Sequence, residues 1–471
     1  VSRPGPAAGA GRWEGPGGCR EVLAVGLPLM VSMGSATIMQ FTDRMFLGWH
    51  SVEELAASVP AGIAAFLFQA LCLGVVSCAG VLVAQYHGAC RPERVGPALW
   101  AGIWTSLALG ALLAALGPLS GPIFDLAGHP ETVRGMEADY FDILIRGSVF
   151  VVLAAALSGY FSGLGRTVPV MLVNLAGAAA NIPLDYALIF GRLGAPELGI
   201  RGAAYATVAG SVLNCVLFAL LLLAPEAEKR HRLRSGWRPE AEMFRRLLDV
   251  GLPAGVQFFM DILAITGFTL LVGRIGLVEL SATNIAFTIN SLTYMPVIGL
   301  SNALSILAGR SQGQGRPEIT RRATANTLLL ACAWMVGVGL VFVVAPGPLI
   351  DLFASAGQDR HGAEFGPVRA MGVTLLRYVA LYSLADAVSM VHFGALKGAG
   401  DTRFLMQTML AASLGVLLLP TWLVVTAGVG GVHGPWLALT AYICFLAVCF
   451  ALRFRSGRWT ALRIIEGSEP C

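Results

Sequence analysis

Apolar residues in this chain come in long blocks rather than in alternation. Runs near the ~20 residues that cross a bilayer as a helix fall at 22–46, 57–84, 97–119, 141–160, 168–190 and 203–224. Six more follow at 247–272, 281–308, 324–346, 373–395, 404–427 and 434–452. The bilayer core holds no water to satisfy backbone N–H and C=O groups, so segments of this length are read as helices. The most basic stretch of the chain, EAEKRHRLRSGWRPEAEMFRR, separates the first six runs from the second six. The pattern predicts an all-α integral membrane protein with twelve transmembrane helices.

The second six runs echo the first. Gly26-Leu27-Pro28 recurs as Gly251-Leu252-Pro253, and Arg91-Pro92-Glu93 as Arg316-Pro317-Glu318, both 225 residues later. Gly121-Pro122 with Asp125 recurs as Gly347-Pro348 with Asp351. Gly163–Thr167 corresponds to Gly398–Thr402, and Gly199–Gly202 to Gly431–Gly434. Matches in one order with a slowly drifting offset indicate duplication. An even number of spans per copy gives both copies the same orientation. Two six-helix lobes about a pseudo-twofold axis along the membrane normal are the expected result, a layout suited to alternating access. The expected boundaries are a disordered segment at 1–20, a first lobe at 21–225, a basic linker at 226–245, a second lobe at 246–455 and a tail at 456–471.

Composition agrees. Charged residues make up 13% of the chain, against about 25% in soluble domains, and mean hydropathy is +0.71. The net charge of +4 sits in loops, so it bears on topology and implies no nucleic-acid partner. Arginines gather in alternate loops and in the tail, while the remaining loops carry Glu53, Glu54, Asp125, Glu131, Glu137, Asp139, Asp351, Asp359 and Glu364. The positive-inside rule then places both termini in the cytoplasm. Residues 1–19 lack the uninterrupted apolar core of a signal peptide. The nine cysteines are scattered and form neither a metal spacing nor a disulfide framework. There is no GxxxxGK[ST] phosphate loop and no catalytic triad, so neither an enzyme nor a cofactor is expected. Energy for transport would come from an ion gradient.

A carboxylate at the centre of a membrane helix costs about 2.5–3.5 kcal/mol, so the acids inside the runs carry the chemistry. They are Asp43, Asp185, Asp261 and Asp386. Asp43 stands in a polar group with Gln40 and Thr42, in a helix that Pro28 can bend. Asn181 and Asp185 are four apart, on one helical face, with Pro183 between them loosening backbone carbonyls; Thr207 adds a hydroxyl from the next span. Carboxylate, amide and hydroxyl oxygens suit Na⁺, by analogy with other hard cations, and suit a proton equally. Asp261 shares a face with Gln257, and Asp386 follows Tyr382 and Ser383 by about one turn. Candidate Na⁺ sites are thus Asp43/Asn181/Asp185 and Asp261/Asp386. The plainer alternatives are hydrogen bonds to neighbouring helices and an ion pair between Asp386 and Arg377. Met39, Gln40, Gln257, Phe259, Tyr294, Tyr382 and Met390 are candidate cavity residues, since aromatics hold cations and Met adapts to varied shapes. Most such residues in a membrane protein face lipid or core.

At 26–48 (GLPLM…FTDRMFLG), 162–191 (SGLGRT…NIPLDYALIFG), 199–207 (GIRGAAYAT), 251–261 and 380–402 (ALYSLADAV…GALKGAGDT) the chain resembles the multidrug and toxic compound extrusion (MATE) transporters, most of all their bacterial NorM-type branch. The resemblance spans residues 20–455. It implies export of organic cations or amphipathic small molecules against Na⁺ or H⁺, by a monomer in the bacterial cytoplasmic (inner) membrane. It also implies that Asp43, Asn181, Asp185 and Thr207 form an ion site in the first lobe, and that Asp386 acts in the second. Asp261 stands where NorM-type members usually carry glutamate, a shorter side chain at that position. The competing readings are a lipid-linked-precursor flippase of the same superfamily, which would need cations lining its cavity, and an uncoupled channel or receptor, which would not need acids in both halves.

Overall fold

The computed structural model describes residues 12–125, 130–223, 228, 231–233, 235–354, 365–462 and 464–466. Twelve helices long and apolar enough to cross a membrane occur among them. They are α1 (Cys19–His50), α2 (Val52–Gly88), α3 (Pro92–Asp125), α4 (Glu131–Gly163), α5 (Thr167–Phe190) and α6 (Ile200–Leu222), followed by α7 (Ala241–Gly273), α8 (Leu277–Gly313), α9 (Pro317–Val344), α10 (Phe365–Ala399), α11 (Thr402–Ala427) and α12 (His433–Arg455). Their ends follow local chemistry. Ser51 Oγ accepts from the amides of Glu53 and Glu54 at the start of α2, which satisfies donors that a helix start leaves open. Gly191, at φ +63°, closes α5 in the left-handed conformation that glycine adopts without strain.

The chain forms two compact units. Among the described residues, the N-unit holds Val31–Phe259, Gly309–Gly315 and 464–466; the C-unit holds 12–30, Met260–Ala308 and Arg316–Leu462. The core of the N-unit is built on Phe46, Leu47, Phe124, Phe141, Ile145 and Ile189. That of the C-unit is built on Phe268, Phe342, Tyr382, Trp436 and Phe450. The start of α1 therefore packs with helices of the second half, and the start of α7 with helices of the first.

The sequence repeat reappears in these contacts. In the N-unit a Cβ on Gly74 would lie 2.6 Å from the backbone of Ala254 and Gly255; in the C-unit a Cβ on Gly299, 225 residues further on, would lie 2.5 Å from Met30. A second pair lies within the N-unit. A Cβ on Gly88 would fall 2.0 Å from the Arg310 carbonyl, and one on Gly313 would fall 2.0 Å from the Gln85 carbonyl. Helix backbones approach this closely only where no side chain intervenes. The repeated acids also find equivalent partners: Asp125 pairs with Arg134 at 3.1 Å, and Asp351 with Arg369 at 2.5 Å. The Arg369 guanidinium holds the exposed Asp351 carboxyl below its usual range.

Several expectations need correction. The helices overrun the apolar runs, because a helix keeps its hydrogen bonds beyond the bilayer core. Glu137, expected in an outer loop, is fully buried within α4, and Glu53 and Glu54 lie in α2. The disorder expected for 1–20 does not hold from Arg12 onward. There the backbone accepts hydrogen bonds from Asn326 at Arg12 and Gly17 and from Arg322 at Glu14. In the expected linker, α7 begins at Ala241, and His231 Nδ1 meets the Tyr160 hydroxyl at 2.8 Å. Beyond α12, Glu466 pairs with Arg91, Arg94 and Arg246. Asp359 and Glu364 fall outside the described residues.

Gly313→Val is expected to destabilise the protein by at least ~1–3 kcal/mol through overpacking, measured as a lower thermal unfolding midpoint in detergent. Gly337→Ala, where nothing lies within 4 Å, should leave the midpoint unchanged or raise it slightly.

Candidate functional site

In the N-unit, α1, α5 and α6 bring four sequence-selected side chains together. Asp43 and Asn181 are 7% and 0% exposed, and Asp185 is also 0%, so none is a surface group. The one-turn spacing of Asn181 and Asp185 turns both toward α1. The Asn181 amide group sits between the two acids; with its NH₂ assigned toward them from the hydrogen-bond network, it donates to Asp185 Oδ2 at 2.9 Å and to Asp43 Oδ1 at 3.1 Å. Asp43 approaches Asp185 and Thr207 directly. Asp185 Oδ1 and Thr207 Oγ1 are nevertheless buried without a hydrogen-bond partner. Pro183 lies inside α5; lacking an N–H, it cannot bond the carbonyl of Ala179.

This arrangement is two acids and one donor side chain, with no arginine or lysine paired to either acid among the described residues. Two adjacent carboxylates repel strongly in a low dielectric. A proton or small cation relieves that repulsion, and the two orphaned oxygens are positioned to receive it. With its NH₂ turned toward both acids, Asn181 supplies hydrogens to the ring. The oxygens on offer come from Asp43, Asp185 and Thr207.

The other members of the expected cluster are elsewhere. The Thr42 hydroxyl is used within its own helix, donating to the Ile38 carbonyl at 3.0 Å. Gln40 is exposed and Met39 half-buried. Tyr140 on α4 was not singled out from sequence, yet it lies in the electrostatic field of both acids. No sequence signal marked it, since it reaches the acids from a different helix. Asn174 Nδ2 also donates to Ser32 Oγ at 2.6 Å, a further link between α5 and α1.

The C-unit carries the second cluster. Asp386 on α10 lies in the field of Asp261 on α7, and Tyr294 and Tyr442 lie in the field of both. Both acids are half-buried. Tyr382 is buried beside Asp386. The Tyr294 hydroxyl contacts Met390 Sδ at 3.8 Å. The Tyr442 hydroxyl, on α12, lies 3.5 Å from Ser413 Oγ and 3.9 Å from Met409 Sδ. Ser413 opens a π-helical stretch, Ser413–Leu418, within α11, and single π turns frequently occur at functional sites. Tyr442 and Ser413 were not selected from sequence. No ion pair joins Asp386 to Arg377 among the described residues. Gln257 and Phe259 lie on the portion of α7 that belongs to the N-unit, where Gln257 is buried.

With this geometry in hand, the comparisons with known proteins are direct. The MatE family model matches residues 28–187 and 253–423, one match in each sequence repeat. The multidrug resistance protein NorM of Burkholderia vietnamiensis is 30% identical over 433 residues, 91% of each chain. A probable multidrug resistance protein NorM of Pseudomonas aeruginosa is 30% identical over 455 residues, 95% of this chain and 90% of its own. Among solved structures, an outward-facing multidrug resistance MATE family transporter of the MOP superfamily superposes with a TM-score of 0.85 at 19% identity, covering 95% of this chain and 97% of its own. The chain belongs to the MATE family of membrane transporters and has the MATE fold.

Asn181→Ala is expected to cost about 1–3 kcal/mol, because it leaves two buried carboxylates without their shared donor. The check is a lower thermal unfolding midpoint above neutral pH, with partial recovery in Asn181→Ala/Asp185→Asn, where one of the two acids is gone.

Proposed function

We propose that this transporter exports organic cations and amphipathic small molecules by alternating access, driven by the entry of H⁺ or Na⁺ at Asp43 and Asp185. The supporting observation is the Asp43–Asn181–Asp185–Thr207 ring, an acid pair with two orphaned oxygens and no ion pair to an arginine or lysine among the described residues. The NorM relatives are named multidrug resistance proteins, which supports small-molecule drugs as substrates; their cationic or amphipathic character is our reading from the acids within the spans. The two six-helix lobes at 21–225 and 246–455, cytoplasmic termini, residence in a bacterial inner membrane and action as a monomer belong to the same reading.

Coupling follows from charge. With both acids ionised, the ring attracts a cation and is costly to close off from water. A bound H⁺ or Na⁺ lowers the cost of burial and removes the attraction for a cationic drug. The ion drives a conformational change only in so far as it binds the two states unequally. Asp261 and Asp386, with Tyr294 and Met390 beside them, offer a second acidic surface for the drug or for a further ion.

A solved MOP superfamily transporter from Pyrococcus furiosus, described as having a binding pocket of reverse polarity and a suggested different function, also superposes with a TM-score of 0.83. The fold alone therefore leaves the cargo open. Acids rather than bases inside the membrane helices favour a cationic cargo over a pyrophosphate-linked one.

Everted vesicles containing the protein are expected to accumulate a fluorescent cationic dye when an inward-acidic H⁺ gradient is imposed. Asp43→Asn and Asp185→Asn should each reduce this about tenfold or more, with protein levels unchanged. Dye movement driven only by Na⁺ and lost in Asp386→Asn would transfer coupling to the second cluster. No dye movement under either gradient would overturn the exporter reading.

A further inference from the structure

We propose that the C-unit carries a seat for an anionic phospholipid in the groove between α11 and α12, at the membrane end where its basic residues gather. The groove has a volume of about 510 Å³. Its walls are mainly apolar along the helices, formed by Phe404, Ala411, Phe445, Cys449 and Leu452 with Gln407 and Thr408 among them, and its mouth is cationic, formed by Arg453 and Arg458. Ala411, Phe445 and Leu452 are exposed, so the floor is open to acyl chains.

The mouth is a built structure. Arg453 makes two hydrogen bonds to Asp401, at 2.6 and 3.2 Å, and its guanidinium lies 4.8 Å from the centroid of the Phe404 ring. The turn that carries Arg458 is fixed by Trp459, which is fully buried, stacks on Phe454 at 5.0 Å and donates to the Phe454 carbonyl. Ser456 Oγ donates to the Arg453 carbonyl and accepts from the Arg458 amide. Arg458 itself is exposed and has no ion pair among the described residues.

Charge selects the occupant. At this end of the groove α12 and the turn after it carry Arg453, Arg455 and Arg458, with Asp401 paired to Arg453. A basic rim above an apolar groove matches a ligand with a phosphate head of net negative charge and acyl tails. Basic pockets between helices at a membrane surface bind such head groups, each nearby Lys or Arg contributing about 1 kcal/mol. A zwitterionic lipid places a choline or ethanolamine cation against the same arginines and forfeits that gain. The seat is separate from the acid clusters and does not depend on the transport reading.

The test is intact-complex mass spectrometry of the full chain released from vesicles of phosphatidylcholine with or without phosphatidylglycerol. Native protein should retain phosphatidylglycerol in preference to phosphatidylcholine. Arg458→Gln should weaken that retention roughly fivefold and leave phosphatidylcholine binding unchanged. Ala411→Trp, which fills the apolar floor, should reduce retention without altering charge. Alkylation of Cys449, which lines the groove, should be slowed by phosphatidylglycerol in native protein but not in Arg458→Gln. Arg274→Gln, in a second groove beside Leu418 and Trp422, serves as the control and should behave as native. The proposal is overturned if Arg458→Gln retains phosphatidylglycerol like native protein, or if Arg274→Gln loses it to the same extent.

Discussion

The interaction on which the functional structure depends is the bridge that Asn181 makes between two buried carboxylates. An ionised acid in an apolar slab is expensive, and two side by side are worse. The N-unit accepts that cost and offsets part of it with a single amide, with no arginine ion-paired to either acid among the described residues. A permanently paired acid would be structurally safer but chemically inert. Leaving Asp185 Oδ1 and Thr207 Oγ1 without partners keeps the ring responsive to an incoming charge. Apart from the Ala179 carbonyl that Pro183 leaves without its helical donor, the balance of the site rests on these few side chains.

Elsewhere the protein spends its cations on its acids. Asp125, Asp351 and Asp401, near helix ends, each pair with an arginine, as does Asp139 within α4 with Arg201. The four acids selected deep within the spans have no such partner among the described residues. The division separates acids tied into ion pairs from the acids to which we assign ion exchange. It also explains why the two clusters differ. The N-unit ring is closed around its acids, whereas Asp261 and Asp386 stay half-exposed among tyrosine hydroxyls and methionine sulfurs, surroundings that suit a larger and less specific guest.

Much of the fold was legible because membrane helices are written in plain composition. Apolar runs gave the number of spans, and motifs recurring 225 residues apart gave the duplication that reappears as equivalent glycine contacts at Gly74 and Gly299. Asn181 and Asp185 could be paired from sequence because helical spacing puts them on one face. Tyr140, Tyr442 and Ser413 could not, since each reaches its cluster from a different helix, and a periodicity argument says nothing about which helices are neighbours. Glu137 was misplaced for a related reason: charge near the end of an apolar run looks like loop until packing shows the helix continuing.

The sequence by itself determined that the chain is a duplicated twelve-helix membrane protein with acids inside its spans, because the bilayer imposes length and polarity on every segment independently. Tertiary structure decided which acids meet. It set Asp43 against Asp185 and Thr207, turned Thr42 back onto its own helix, and assigned the starts of α1 and α7 to helices from the opposite half of the sequence. Those outcomes depend on close approach between segments remote in sequence, where a few tenths of an ångström at a glycine decides whether backbones touch, and no local pattern encodes that distance.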